Sequence, residues 1–471
     1  MNRATNDSHR QAPQTAPQSA PRDSTTPRLA LPRREFLRLS AAGAVSAAGA
    51  LLAAGRRTWA LDEPKSRPKV AAICTVITHR SHAHVILENF LQPYLFNGKR
   101  TDPGVDVVSL YFDQTPDGDM SREVARQFDV PIYPTIAEAL CQGGDELAVD
   151  AVLAIGEHGR YPTNELGQVE YPRKRFFDEA AAVIRAAGRG VPYFNDKHLP
   201  YRWDWAKEMY DTADELHMPL MAGSSVPLAQ RRPPFQLPDD AKIEQAVSIH
   251  GGGVESYDFH GLEVLQSLVE SRSGGETGVS RVEFLSGDRL REAARDGRWS
   301  LELARTAMEA ELGKKLDDPL VVPGQENIEP HGILLTYKDG LSAIVLKVGG
   351  SGIRWNFACR LKGEAEPRAC AFYVGPWNNR NLFKALSHAI QHHFLHGKAP
   401  YAVERTLLVT GVLDAEMHSR HDGGKPVDTP HLEFAYEPRN FDDMREMGAT
   451  WKIITEATPE PRGFVLHGLD E

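Results

Sequence analysis

The sequence predicts an α/β domain followed by an α+β domain, and three observations carry that prediction. Between residues 68 and 225, short and nearly continuous apolar runs alternate with amphipathic stretches. That is the pattern of a Rossmann-like, doubly wound parallel sheet covered on both faces. From about residue 240 the runs become β-rich or alternating, with Asp339-Gly340 as a hairpin turn, which reads as a largely antiparallel open sheet with helices. Finally, 471 residues with 41% hydrophobic and 25% charged content are an ordinary globular balance. They suffice for two or three domains and exclude a wholly disordered chain and a multi-span membrane protein.

In chain order, residues 70–76 are the first buried strand and 84–90 a helix. Residues 105–111 are the second strand, which ends at Asp113; 121–128 are a helix and 131–133 a short strand. Thr135 caps a helix over 136–140, with Glu138 placed to complete a capping box. Residues 149–155 form another buried strand, 175–187 a helix, 190–194 a strand, 203–216 a helix and 219–222 a strand. Ligands of such sheets sit at the carboxyl ends of the strands. Here those ends are residues 75–84, Asp113, Glu157-His158, Asp196-Lys197-His198 and residues 223–225. In the second domain, strands are expected over 243–249, 282–285, 332–337, 341–348, 355–360 and 371–374. Helices are expected over 259–269, 300–312 and 381–396, and one more strand over 451–454. The domains are bounded at 68–230 and 231–430, with a C-terminal extension over 431–471. Arg231-Arg232-Pro233-Pro234 reads as their linker, with Arg232 in reach of a substrate.

The first 60 residues are an address rather than a fold. Residues 1–32 are rich in Pro, Ser, Thr, Gln and Arg. Arg33-Arg34, Phe36-Leu37, a mild apolar run over 39–55 and Thr58-Trp59-Ala60 follow. Together they resemble a twin-arginine export signal. The expected location is periplasmic or otherwise extracytoplasmic, with no integral membrane domain beyond the signal; retention as an N-terminal anchor is the alternative. The net charge is −10, of which residues 1–60 contribute +6, so the body carries −16. An acidic body argues against a nucleic-acid partner. The four cysteines, Cys74, Cys141, Cys359 and Cys370, form no C-x-x-C pair, so no structural zinc cluster is expected. Cys359 and Cys370 flank a turn, which leaves a disulfide between them open beside the plainer reading as buried small apolar side chains.

Further landmarks recur in a particular order. Residues 107–113, 125–131 and 133–140 give a strand with an acidic end and the helices that follow it. Asn195-Asp196-Lys197-His198-Leu199-Pro200 is a strand-end loop around a lysine. Gly251-Gly252-Gly253 leads to His260 and Glu263, and residues 381–383, 397–400 and 412–416 close the chain. In this order they resemble the glucose–fructose oxidoreductase/inositol dehydrogenase (Gfo/Idh/MocA) family, over residues 69–430. The resemblance implies a nucleotide-binding domain joined to a substrate and oligomerisation domain. It implies NAD or NADP as cofactor, a small carbohydrate-like substrate and a homo-oligomer through the C-terminal sheet. It also implies that Lys197 and His260 work on a substrate hydroxyl. A histidine can take a proton near neutral pH, and a lysine can orient the hydroxyl and stabilise developing negative charge.

The first strand–helix turn departs from the pattern. A G-x-G-x-x-G fingerprint lets backbone amides approach a pyrophosphate, and residues 74–84 contain no glycine. Thr75, Thr78, Arg80 and Ser81 are then the donors left at the helix N-terminus. Asp113 is expected on a ribose hydroxyl, with Glu157 and His158 completing the cofactor site. Ser256 stands where the family has an aspartate ahead of its histidine, so Glu263, one helical turn on, is expected to orient His260 and to complete the catalytic set. Asp196, His198, Arg232 and Tyr257 are expected at the substrate. The histidines at 79, 82, 84, 158 and 198 crowd the strand ends without a metal motif, and no metal is expected. The function expected is an exported NAD(P)-dependent oxidoreductase acting on a sugar, polyol or sugar derivative. Transient oxidation leading to elimination or glycoside cleavage is a variant. The alternative is a nucleotide-free carbohydrate-binding or metal-assisted hydrolytic protein on the same fold.

Overall fold

In the computed structural model, which describes residues 66–464, strand β1 (Lys69–Cys74) is buried along all but its first residue. Helix α1 (His82–Leu91) follows, capped by Ser81. The stretch that separates it from the next sheet strand is a hairpin of β2 (Tyr94–Phe96) and β3 (Lys99–Thr101). Then come β4 (Asp106–Phe112), α2 (Ser121–Phe128), α3 (Ile136–Cys141), β5 (Ala151–Ile155), α4 (Arg173–Ala187), β6 (Tyr193–Asp196), α5 (Trp203–Glu215) and β7 (Leu220–Gly223). The five sheet strands run parallel in the order β4-β1-β5-β6-β7. Thr135 caps α3 as expected, accepting from the Glu138 amide at 3.1 Å. The strand expected over 131–133 is reduced to a bridge between Leu110 and Ile132. The expected signal, residues 1–60, lies outside the described residues.

The second half holds β8 (Gln230–Arg232), β9 (Ile243–His250), α6 (Asp258–Val269), β10 (Val279–Ser286), α7 (Gly287–Arg295), α8 (Leu301–Leu312), β11 (His331–Tyr337), β12 (Ser342–Lys347), β13 (Trp355–Leu361) and β14 (Arg368–Tyr373). Helices α9 (Asn379–His396) and α10 (Val403–His421) and strand β15 (Val427–Asp428) complete it. An eight-stranded sheet runs β15-β10-β11-β12-β9-β13-β14-β8. Only β9 and β12 pair in parallel; the other pairs are antiparallel. Helix α6 packs on β9, β12 and β13, while α7 and α8 pack on β9, β10, β11, β13 and β14.

Two expectations give way here, and one helix appears that the sequence reading lacks. Residues 230–232 pair with β14 as an edge strand, so Arg231 and Arg232 belong to the sheet rather than to a linker. Residues 451–454 do not form a strand: Thr450–Lys452 is a short 3-10 turn, closed by Trp451 and Ile453 donating three residues back. Helix α10 has no counterpart in the sequence reading. It packs on α5 and β7 of the first half and on α6 and β10 of the second, so it is buried on most sides and shows little amphipathic period. All four cysteines are free; the register sets Cys370 opposite Phe357 and Cys359 opposite Arg368. No helix among the described residues is long and apolar enough to cross a membrane.

Candidate active site

The ends of β5, β6 and β7 bring the predicted strand-end residues together. Past β5, Gly156 makes room for the Arg173 side chain, because a Cβ there would lie 2.7 Å from Arg173 Cγ. Arg173 ion-pairs with Glu157 and donates to His198 Nε2 at 3.0 Å. Lys197 Nζ lies 2.9 Å from the other Glu157 oxygen and donates to the Ser256 carbonyl at 3.2 Å, joining the two halves of the molecule. Burial alone would raise the Glu157 carboxyl, but Lys197 and Arg173 outweigh it and hold it well below the usual range. Burial and the neighbouring Arg173 push His198 well below its ordinary value. Burial and His82 push His158 down to about 4.

At the start of α1, His82 Nδ1 lies 2.6 Å from Asp196 Oδ2, with both side chains buried. Phe383 and His158 pack their rings on His82 with centroids 4.5 and 5.0 Å away. Among the described residues ten non-glycines have positive φ, and three of them, His158, Lys197 and Glu255, stand at this site. Left-handed backbone is costly outside glycine, and such residues collect where function demands a particular side-chain aim.

The β1–α1 crossover is a different environment. The Thr75 hydroxyl donates to the Glu157 carbonyl. The Ser81 hydroxyl accepts from the Thr78 amide at 3.0 Å and from the His84 amide at 3.4 Å. The Arg80 amide donates to His84 Nδ1 at 2.8 Å, and its guanidinium grips both carboxylate oxygens of Glu460. Asp113 accepts from the Tyr111 and Tyr161 hydroxyls at 2.8 and 2.7 Å and pairs with Arg175. Against the upward push of burial, these donors hold its carboxyl below the ordinary value. The donor set is nevertheless that of an anion site: a guanidinium and a hydroxyl-capped helix N-terminus. Arg80 already binds a carboxylate, so these residues fit the diphosphate of a dinucleotide if Arg80 exchanges Glu460 for it.

On the second half, the turn between β9 and α6 is held by hydrogen bonds. A Cβ on Gly252 would fall 1.8 Å from Tyr257 Cγ, so glycine lets the Tyr257 ring lie against the backbone. Tyr257 stacks on Trp355 at 5.5 Å and 10°, beside His260. His250, Asp258 and His331 bring ligand-type atoms within 4.8 Å of one another. The Gly252 amide donates to His250 Nδ1 at 3.3 Å, which leaves Nε2 protonated and donating to Asp258 Oδ1 at 2.9 Å. His331 Nε2 sits 2.9 Å from the same oxygen, and the Glu255 amide donates to Oδ2 at 2.8 Å. This tautomer makes the trio a hydrogen-bonded anchor for the turn, since a metal-bound imidazole would need its other nitrogen to donate.

Two expected site residues are placed elsewhere. Glu263 does not orient His260: its carboxylate lies 2.7 Å from Thr406 Oγ1 and 3.3 Å from Arg405 Nε, drawn to the buried cation of α10. The partner of His260 is Ser224, whose Oγ lies 2.7 Å from Nδ1. Arg232 is exposed on edge strand β8, with its guanidinium 3.4 Å from the Tyr373 ring centroid and its Nε donating to Gln230. Strand pairing with β14 holds it there, away from the strand-end cluster. Arg173 and Ser224 were not singled out from sequence; Ser224 stood at a legible strand end, whereas Arg173 carried no signal beyond the start of a helix.

No protein-family model and no curated protein sequence matches the chain. Among solved structures it is similar to GenD2 from gentamicin A biosynthesis in complex with NAD, at 14% identity over 77% of this chain and 96% of that one, TM-score 0.47. It is also similar to apo scyllo-inositol dehydrogenase from Lactobacillus casei, at 10% identity over 77% of this chain and 98% of that one, TM-score 0.48. A third is an oxidoreductase from Agrobacterium radiobacter in complex with NAD+, L-tartaric acid and magnesium, at 12% identity over 78% of this chain and 100% of that one, TM-score 0.47.

Proposed function

We propose that this chain is an NAD(P)-dependent oxidoreductase of the Gfo/Idh/MocA kind. It acts on a sugar, polyol or sugar derivative, and the twin-arginine route exports it. One observation carries the reading. Lys197, His260 and the Glu157–Arg173 pair converge at the carboxyl ends of parallel strands, where ligands of such sheets bind. Four buried polar atoms there, His158 Nε2, Asp196 Oδ1, His198 Nδ1 and Ser225 Oγ, have no partner among the described residues. Buried polar groups are rarely left unpaired, so this set asks for a polar ligand.

The nicotinamide supplies the acceptor or donor of hydride when bound. Arg80 and Ser81 would hold its diphosphate and Asp113 a ribose hydroxyl. Lys197, aimed by Glu157 at 2.9 Å, orients the substrate hydroxyl and offsets negative charge on its oxygen. His260, neutral because burial and Lys197 push it well below its ordinary value, gives the substrate a hydrogen bond.

The test is nucleotide content and binding. Protein purified without added nucleotide is denatured, its supernatant read by mass spectrometry, and the emptied protein titrated with NAD+ and NADP+ before a panel of sugars and polyols is screened. One nucleotide binding at about micromolar Kd is expected; no bound nucleotide and no binding overturns the reading. Lys197→Ala should then lower turnover while nucleotide affinity holds. The engagement of Thr75, Ser81, Arg80 and Asp113 within the chain favours a second reading, a nucleotide-free carbohydrate-binding or hydrolytic protein. Sugar binding without nucleotide in the same titrations selects it.

A further inference from the structure

We propose that the proton acceptor of this site is His82, positioned by Asp196, rather than His260. The proposal rests on the oxidoreductase reading above.

The hydrogen-bond network distinguishes the two histidines. Ser224 Oγ accepts from the Val226 amide at 3.0 Å and lies 2.7 Å from His260 Nδ1. A hydroxyl has a second lone pair and a proton, so it can accept from that nitrogen or donate to it, and it does not fix His260 Nε2 as an acceptor. His82 has an acid in that place. An ionised carboxylate only accepts, so at 2.6 Å from Asp196 Oδ2 the proton sits on Nδ1 and the lone pair on Nε2. Phe383, packed on the ring at 4.5 Å, fixes its plane. The His82 side chain keeps 10% of its surface exposed, whereas that of Asp196 keeps 1%. An imidazole that keeps some of its surface exposed, backed by a buried acid, is the geometry of an oriented general base. The sequence concurs: Ser256 stands where an aspartate would have served His260, while a carboxylate is supplied to His82 by β6.

The charges around His82 suit the role. Glu157 and His158 face it from the end of β5, Lys197 stands beyond β6 and His260 on α6, and each feels or exerts its field on this cluster. Glu157 pairs with both Lys197, at 2.9 Å, and Arg173, while a proton arriving on His82 meets the Asp196 carboxylate on its other nitrogen. In the step, the substrate O–H bond breaks and its proton forms a bond to His82 Nε2. The carbinol C–H leaves with its electron pair as hydride to the nicotinamide dinucleotide, and the C–O single bond becomes a carbonyl.

Two readouts test this on the mature protein. With 15N-histidine labelling, the His82 signal is identified by its loss in His82→Gln. The expected state is the Nδ1–H tautomer with a strongly downfield proton, abolished in Asp196→Asn; an Nε2–H tautomer in the wild type overturns the proposal without any substrate. On a substrate from the panel above, His82→Ala should lower kcat by about 10²–10⁴-fold, leave KM and nucleotide affinity within about twofold, erase the acid limb of the pH profile and recover in part with added imidazole. His260→Gln should keep the acid limb. An acid limb that survives in His82→Ala and vanishes in His260→Gln overturns the assignment. Nucleotide affinity, read on the same samples, separates the cases: a wild type that binds no NAD+ or NADP+ overturns the oxidoreductase reading, and binding with the wrong tautomer overturns the dyad alone. Circular dichroism and the conservative His82→Gln variant guard against a simple loss of folding.

Discussion

The two ends of the parallel sheet are built on opposite principles. At the β1–α1 crossover Thr75, Arg80, Ser81 and Asp113 are all committed to partners within the chain. At the ends of β5, β6 and β7, four buried polar atoms have none among the described residues. Leaving a buried polar group unpaired costs about 1–3 kcal/mol, so the second region gains by binding a polar ligand. The first must surrender an internal contact before it can bind one. The contrast teaches that a nucleotide on this chain meets resistance at its diphosphate and welcome at its reactive end.

The strongest way to break that contrast is to unbalance the welcoming end. Glu157→Gln strands Lys197 and Arg173, whose side chains are 5% and 0% exposed, without their anion. Removing one partner of a buried pair costs about 3–5 kcal/mol, read by urea denaturation; a change below about 1 kcal/mol would mean that water already screens the cluster.

The next effect is catalytic. Lys197→Ala should cost about 10²-fold in kcat with nucleotide affinity unchanged, which would place the lysine at the reacting end alone; a parallel loss of affinity would blur the two regions.

Acid should then weaken the fold through the same end. His158 sits near 4 when folded, against its ordinary 6.5. The unfolded chain therefore takes up the proton first, so the stability is full above about pH 6.5 and declines as the pH falls toward 4. His158 accounts for about 2–3 kcal/mol of that loss. A thermal midpoint that stays flat across this window contradicts a buried neutral imidazole.

The smallest effect sharpens the comparison at the other end. Glu460→Gln frees a half-exposed Arg80, and a pair of this kind is worth about 1 kcal/mol. Nucleotide affinity should tighten about fivefold by titration calorimetry. No change would mean that Arg80 never meets the diphosphate.

Much of the first domain was readable because strands covered on both faces are written as continuous apolar runs; β1, β5 and the Thr135 cap fall where expected. Lys197 was readable for the same reason, being fixed to a strand end. What was unreadable depends on distant partners. The bond between His82 and Asp196 spans 114 residues, and that between Glu263 and Thr406 spans 143. Helix spacing therefore suggested Glu263 for His260, but the cation that claims Glu263 sits on α10. That helix is apolar on several faces, so no period announced it. Arg232 misled because an Arg-Arg-Pro-Pro run resembles a linker, while a sheet edge tolerates proline just past its last paired residue.

Helix α10 has one more consequence. It is wedged against β7 and α5 on one flank and β10 and α6 on the other, and Arg405 near its start is locked between Glu263 and Glu270 at 3.3 Å each. That three-charge knot fastens α10 to α6, so parting the halves would strip α10 from β7 and α5 and open that seam to water.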